Sequence, residues 1–95
     1  MPEMRFSVRW PDGIAETCYS PSLVVKDFFA TGETYPLADF VARSRTAFSI
    51  ASRRVEEKYG WPCFRAMAQL ARIEAAAATF ADVADARVAV DAFEE

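Results

Sequence analysis

The chain is expected to fold as a single α+β domain over residues 1–95, in the order β-β-α-α-α-β. Three observations carry this reading: a clean two-residue alternation near the start, two long segments of helical periodicity in the middle, and a return to alternation near the end. A small antiparallel sheet, made of the N-terminal hairpin and the C-terminal strand, is expected to pack against an antiparallel helix pair. A chain of 95 residues falls within the usual size of one domain.

Residues 4–10 place Met4, Phe6, Val8 and Trp10 on one side and Arg5, Ser7 and Arg9 on the other, the pattern of a strand with one buried face. Pro11-Asp12-Gly13 reads as a tight turn, since proline presets φ and glycine accepts a positive one. Residues 14–19 return as the second strand, with Ile14, Glu16 and Cys18 on one face and Ala15, Thr17 and Tyr19 on the other. Ser20-Pro21-Ser22 looks like a helix start, with Ser20 as cap, and predicts a short helix over 21–30. The run Leu23-Val24-Val25 is also compatible with a strand.

Residues 36–59 carry the strongest periodicity. Leu37, Phe40, Val41, Ser44, Ala47, Phe48, Ala51, Val55 and Tyr59 fall in one stripe, and Gly60 follows as a stop. A third helix is expected over about 62–79. It is apolar on two sides: Phe64, Met67, Ala68, Ala71, Ala75 and Ala78 form one, and Ala66, Leu70, Ile73, Ala77 and Phe80 form the other. Residues 83–93 carry both patterns, because Val83, Ala86, Val90 and Phe93 recur at helical spacing while Val88 and Val90 alternate with Arg87, Ala89 and Asp91. A strand over 87–93 is preferred, since a lone hairpin is marginal in water.

Composition removes several classes of function. Histidine is absent, so no Ser-His-Asp triad, Cys-His dyad or His-ligated metal site can be built from this chain. The net charge of −3 argues against a general nucleic-acid binder. Arg5 and Arg9 lie across the strand from Phe6 and Trp10, as in a core rather than a base-stacking platform. Glycine occurs only at 13, 32 and 60, so no phosphate-binding loop is present. No acidic segment has the spacing of a metal loop. Accordingly no cofactor, metal, nucleic acid or membrane partner is expected. The start of the chain lacks the charged and apolar regions of a signal peptide, and the two cysteines are too few for a disulfide framework. A cytoplasmic protein with free thiols is the expectation.

Two segments are candidate sites. Cys63 falls in the first turn of the third helix, between Trp61 and Phe64, where free N–H groups and the helix dipole can favour a thiolate. The plainer reading is a small buried apolar residue. Cys18-Tyr19-Ser20-Pro21-Ser22 lies at a strand-to-helix junction that could hold an anion. Its plainer reading is a helix cap beside a core cysteine.

The segments Arg9-Trp10-Pro11-Asp12-Gly13, Cys18-Tyr19-Ser20-Pro21-Ser22-Leu23-Val24-Val25-Lys26-Asp27, Tyr35-Pro36-Leu37-Ala38-Asp39-Phe40-Val41 and Lys58-Tyr59-Gly60-Trp61-Pro62-Cys63, together with Met1 to Phe6, resemble a small bacterial family of nitrogen-starvation-response proteins. The resemblance implies a setting: gene clusters holding a nitrilase, a radical-SAM protein and an acetyltransferase-like protein, and growth on nitriles or cyanide. It implies no active-site residue.

The leading expectation is therefore a non-enzymatic accessory or assembly protein of that pathway. Proteins of the same gene cluster are its candidate partners. The first alternative is a small thiol-dependent enzyme or ligand carrier using Cys63 or Cys18. The second is a regulatory binding protein. The third helix is apolar on two sides: one can close over the second helix, and the other needs either the sheet or another chain. A homo-oligomer is expected, with Ala66, Leu70, Ile73, Ala77 and Phe80 as candidate interface residues.

Overall fold

The computed structural model describes residues 2–95. Strand β1, Met4–Arg9, turns Met4, Phe6 and Val8 inward and leaves Arg5 and Arg9 exposed, as the alternation predicts. Trp10 follows the strand and is buried beside it. The turn closes where the Gly13 N–H donates to the Trp10 carbonyl at 2.8 Å, with Gly13 at φ +86°. Strand β2, Ala15–Ser20, then pairs antiparallel with β1, Phe6 opposite Cys18. Cys18 and Ser20 face the core, whereas Ile14 stays 63% exposed.

The helix expected over 21–30 is only a 3-10 turn, Leu23–Asp27. Ser22, not Ser20, caps it, its Oγ accepting the Val24 N–H at 3.2 Å. The β-branched pair Val24-Val25 favours helix less than straight-chain residues do, and a segment this short gains little from hydrogen-bond cooperativity. A short strand absent from the sequence reading, β3 (Thr34–Pro36), comes next. Pro36 therefore ends a strand, and helix α1 spans Leu37–Tyr59. Gly60, at φ +86°, closes α1 by donating its N–H to the Glu56 carbonyl. Helix α2 spans Phe64–Ala78, two residues later at its start than expected, so Cys63 is its N-cap residue rather than part of its first turn.

The last element is a strand, β4, Arg87–Glu94. The four strands form one antiparallel sheet in the order β2-β1-β4-β3, so β4 runs between β1 and β3. A bulge opposite Ser7 and Val8 skips Asp91, which pairs with Arg9 at 3.2 Å. One face of the sheet meets the helices. There Phe29 stands 5.2 Å from Phe40 and 6.4 Å from Phe6, and Trp10 lies 5.7 Å from Phe40, centroid to centroid. Each such ring removed from water contributes about 1.5–3 kcal/mol before the cost of ordering it. The α1 stripe is buried at Phe40, Ser44, Ala47, Phe48, Ala51 and Val55.

One expectation is overturned. The α2 face assigned to a second chain is the face that builds the protomer's own core: Ala66 and Ile73 are fully buried, Ala77 nearly so, and Leu70 and Phe80 pack against them. Three polar contacts fix this rotation of the helix. Gln69 accepts from the Tyr19 N–H of β2 at 2.9 Å, Arg72 is bidentate to Glu16 at 3.1 and 3.2 Å, and Arg65 stacks on the Tyr19 ring. The opposite face, with Phe64, Met67, Ala68, Ala71, Ala75 and Ala78, is exposed along its whole length.

Candidate functional site

Of the two predicted segments, the structure brings Tyr19 and Cys63 together. β2 ends beside the N-terminus of α2, and the two side chains line one cleft of about 230 Å³ with Glu3, Pro21, Val55 and Tyr59. Cys63 is half-buried, and its side chain makes no capping hydrogen bond to α2. The Tyr19 ring carries the Arg65 guanidinium 3.9 Å from its centroid, with Arg5 on the ring at 6.0 Å. Burial, and then the adjoining Glu3 carboxylate, push the Tyr19 phenol above its ordinary value of 10.0, while Arg65 pulls it down. A thiol, a phenol and a carboxylate thus share one partly open space.

The other predicted site residues lie elsewhere. Cys18 is fully buried in the core, and burial, then the Glu16 carboxylate, push its thiol up to about 12. A thiol so protected is a packing residue and not a nucleophile at neutral pH. Ser20 and Ser22 are equally enclosed. The Ser20 Oγ donates to the Ser22 carbonyl at 2.7 Å and accepts the Ser22 N–H at 3.3 Å, and Arg54 donates to the Ser22 Oγ at 3.0 Å. The Ser20 hydroxyl is spent in shaping the turn after β2, and Ser22, only 2% exposed, is closed off from solvent, so neither is open to an anion. Trp61 stands outside the cleft, 65% exposed.

Glu3 and Gln69 were not singled out by the sequence. Glu3 precedes the first alternating residue and carries no periodic signal. Gln69 is the chain's one carboxamide, in the polar strip between the two apolar faces of α2. That rarity was the available clue. Among the described residues, no three carboxylates or thiols converge as metal ligands do, and no helix is long and apolar enough to cross a membrane.

A second feature is the bare face of α2. Phe64 is 72% exposed and Met67 53%, with Trp61 just before them. At the far end of the helix an open groove of about 420 Å³ runs between α1 and α2, lined by Leu37, Ala38, Val41, Ala77, Ala78 and Ala81. The Arg45–Glu74 ion pair, 2.8 Å, also borders it.

These features define a small α+β domain, a helical hairpin laid over one face of a four-stranded antiparallel sheet, with a thiol–phenol cleft at one end and an uncovered apolar helix face. The chain belongs to the family of the nitrogen starvation-induced protein NitG, whose model matches residues 5–93. The family that the resemblance named, nitrogen-starvation-response proteins, is thus the one whose model matches. Comparison with curated proteins and with solved structures finds no match.

Proposed function

We propose that this protein is a non-enzymatic accessory or assembly protein of the response to nitrogen starvation, acting on nitrile utilisation through protein–protein contact. The observation that carries this reading is the bare face of α2. Aromatic and methionine side chains are enriched in the centres of protein interfaces, and Trp61, Phe64 and Met67 stand together in solvent at one end of this helix. The test has two arms. Deletion of the gene is expected to impair growth on a nitrile as sole nitrogen source, and restoring it with a Trp61→Ala/Phe64→Ala variant is expected to fail although the variant folds. Unimpaired growth of the deletion strain, or full rescue by the variant, overturns the proposal.

The cleft supports a second reading, a thiol-dependent enzyme or carrier built on Cys63 with Tyr19 and Glu3. Iodoacetamide kinetics separate the two. A Cys63 that alkylates far faster than a free thiol, with a rate profile centred well below the ordinary thiol range, favours the second reading. Ordinary reactivity removes it.

A further inference from the structure

We infer that the outer face of α2 binds a second copy of this chain, the two helices running antiparallel across a two-fold axis at Ala71. The inference rests on the protein-contact reading above and names the first occupant of that face. Three observations carry it.

The first is a gradient of size. Along the exposed stripe the N-terminal end bears the large residues Phe64 and Met67, and the C-terminal end bears the small ones, Ala75 and Ala78. Phe64 and Ala78 lie at equal distances from Ala71, seven residues to either side, and are about 21 Å apart along the helix. Reversal of a second copy about Ala71 therefore sets Phe64 of each chain on Ala78 of the other and brings Met67 to the small end. A large residue meets a small one at both ends, which is the condition for an isologous contact.

The second is the groove. Ala78 and Ala81 belong to its wall, so the same reversal delivers Phe64 to the mouth of the 420 Å³ groove between α1 and α2, whose lining is apolar apart from the Arg45–Glu74 pair. The protein thus carries both the protrusion and its receptacle. A partner of other origin would have to match both, whereas a second copy does so by symmetry.

The third is charge. All three charged residues of α2 are engaged within the protomer: Arg65 on Tyr19, Arg72 on Glu16 and Glu74 on Arg45. The stripe between them is uncharged, so closing it strands no ion. Exposed Phe64 and Trp61 offer on the order of 300 Å² per protomer. With Met67, the alanines and the groove walls, the contact approaches the about 800 Å² per partner of a standard interface. Alanine at the crossing point lets the axes approach to about 8 Å, the short end of helix packing.

Sedimentation equilibrium of the purified protein in the micromolar range tests the pairing, and a symmetric cross-link tests its register. A dimer mass is expected, with Phe64→Asp weakening association about 30-fold or more and leaving the circular dichroism spectrum intact. In a Cys63→Ser background, Ala71→Cys is expected to form an interchain disulfide readily under mild oxidation, because only that residue meets its own copy. Ala75→Cys alone is expected not to, but to cross-link when mixed with Met67→Cys. A monomer at every concentration, or a dimer in which Ala71→Cys stays reduced, overturns the inference. These measurements involve the isolated chain only. A monomer that is still required for growth on a nitrile sinks the pairing and spares the accessory reading, and a dimer that is dispensable for growth does the reverse.

Discussion

Ser44→Ala is expected to stabilise the protein. Ser44 lies in the middle of α1, fully buried, and its Oγ has no hydrogen-bond partner among the described residues. A helical serine normally satisfies itself on the carbonyl four residues back, and this one does not. A buried polar group without a partner forfeits about 1–3 kcal/mol of desolvation. Alanine removes that penalty and gains roughly 0.5 kcal/mol of helix propensity. Deleting one oxygen leaves a void that costs about 0.3 kcal/mol at about 24 cal/mol per Å³. The net gain is then roughly 1–3 kcal/mol, which in a domain of this length raises Tm by at least about 5 °C. Urea unfolding followed through the buried Trp10 measures it, with the m-value unchanged. A variant less stable than the parent by more than about 0.5 kcal/mol would refute the reasoning, since the hydroxyl must then hold a bond worth keeping.

Gln69→Ala removes the acceptor for the Tyr19 N–H on an edge strand, and is expected to cost about 1 kcal/mol and to speed amide exchange at Tyr19 selectively. Cys18 gives a pH signature. Its thiol stays protonated in the folded state up to about 12, against 9.0 when unfolded, so the folded protein holds the proton longer and stability falls as pH rises above 9. The contribution is about 1.4 kcal/mol per pH unit, and the difference in alkaline slope between the parent and Cys18→Ala isolates it. Gly60→Ala places a side chain at φ +86° where α1 ends, and is expected to cost about 1 kcal/mol in a thermal melt. In the native protein a thiol reagent is expected to modify Cys63 and to reach Cys18 only after unfolding.

Periodicity made the long elements legible. The alternation of Met4, Phe6 and Val8 and the α1 stripe from Phe40 to Val55 each repeat often enough to declare a buried face. Thr34-Tyr35-Pro36 is too short to show a period, and its partner β4 lies far along the chain, so β3 had no local signal. The greater difficulty was α2. Its two apolar sides were visible, but which one turns inward depends on where Gln69, Arg65 and Arg72 reach across to β2, a non-local matter. The candidate site behaved in the same way. Cys63 was conspicuous from its place before a helix, whereas its proximity to Tyr19 and Glu3 arises from tertiary packing alone. Cys18 was conspicuous for its segment, yet its position opposite Phe6 puts it in the core.

The placing of β4 between β1 and β3 governs the order in which this protein can be made. A ribosome releases the hairpin, β3 and both helices before it releases the strand that joins β3 to β1. Until then Phe6 and Val8 of β1 lack their neighbour on that side, and the pairing that completes the sheet spans nearly the whole sequence, Arg5 opposite Glu94. Such distant closure slows folding relative to a helical bundle of equal length. A chain broken off between α2 and β4 is therefore a sticky, half-built molecule and a natural substrate for proteolysis.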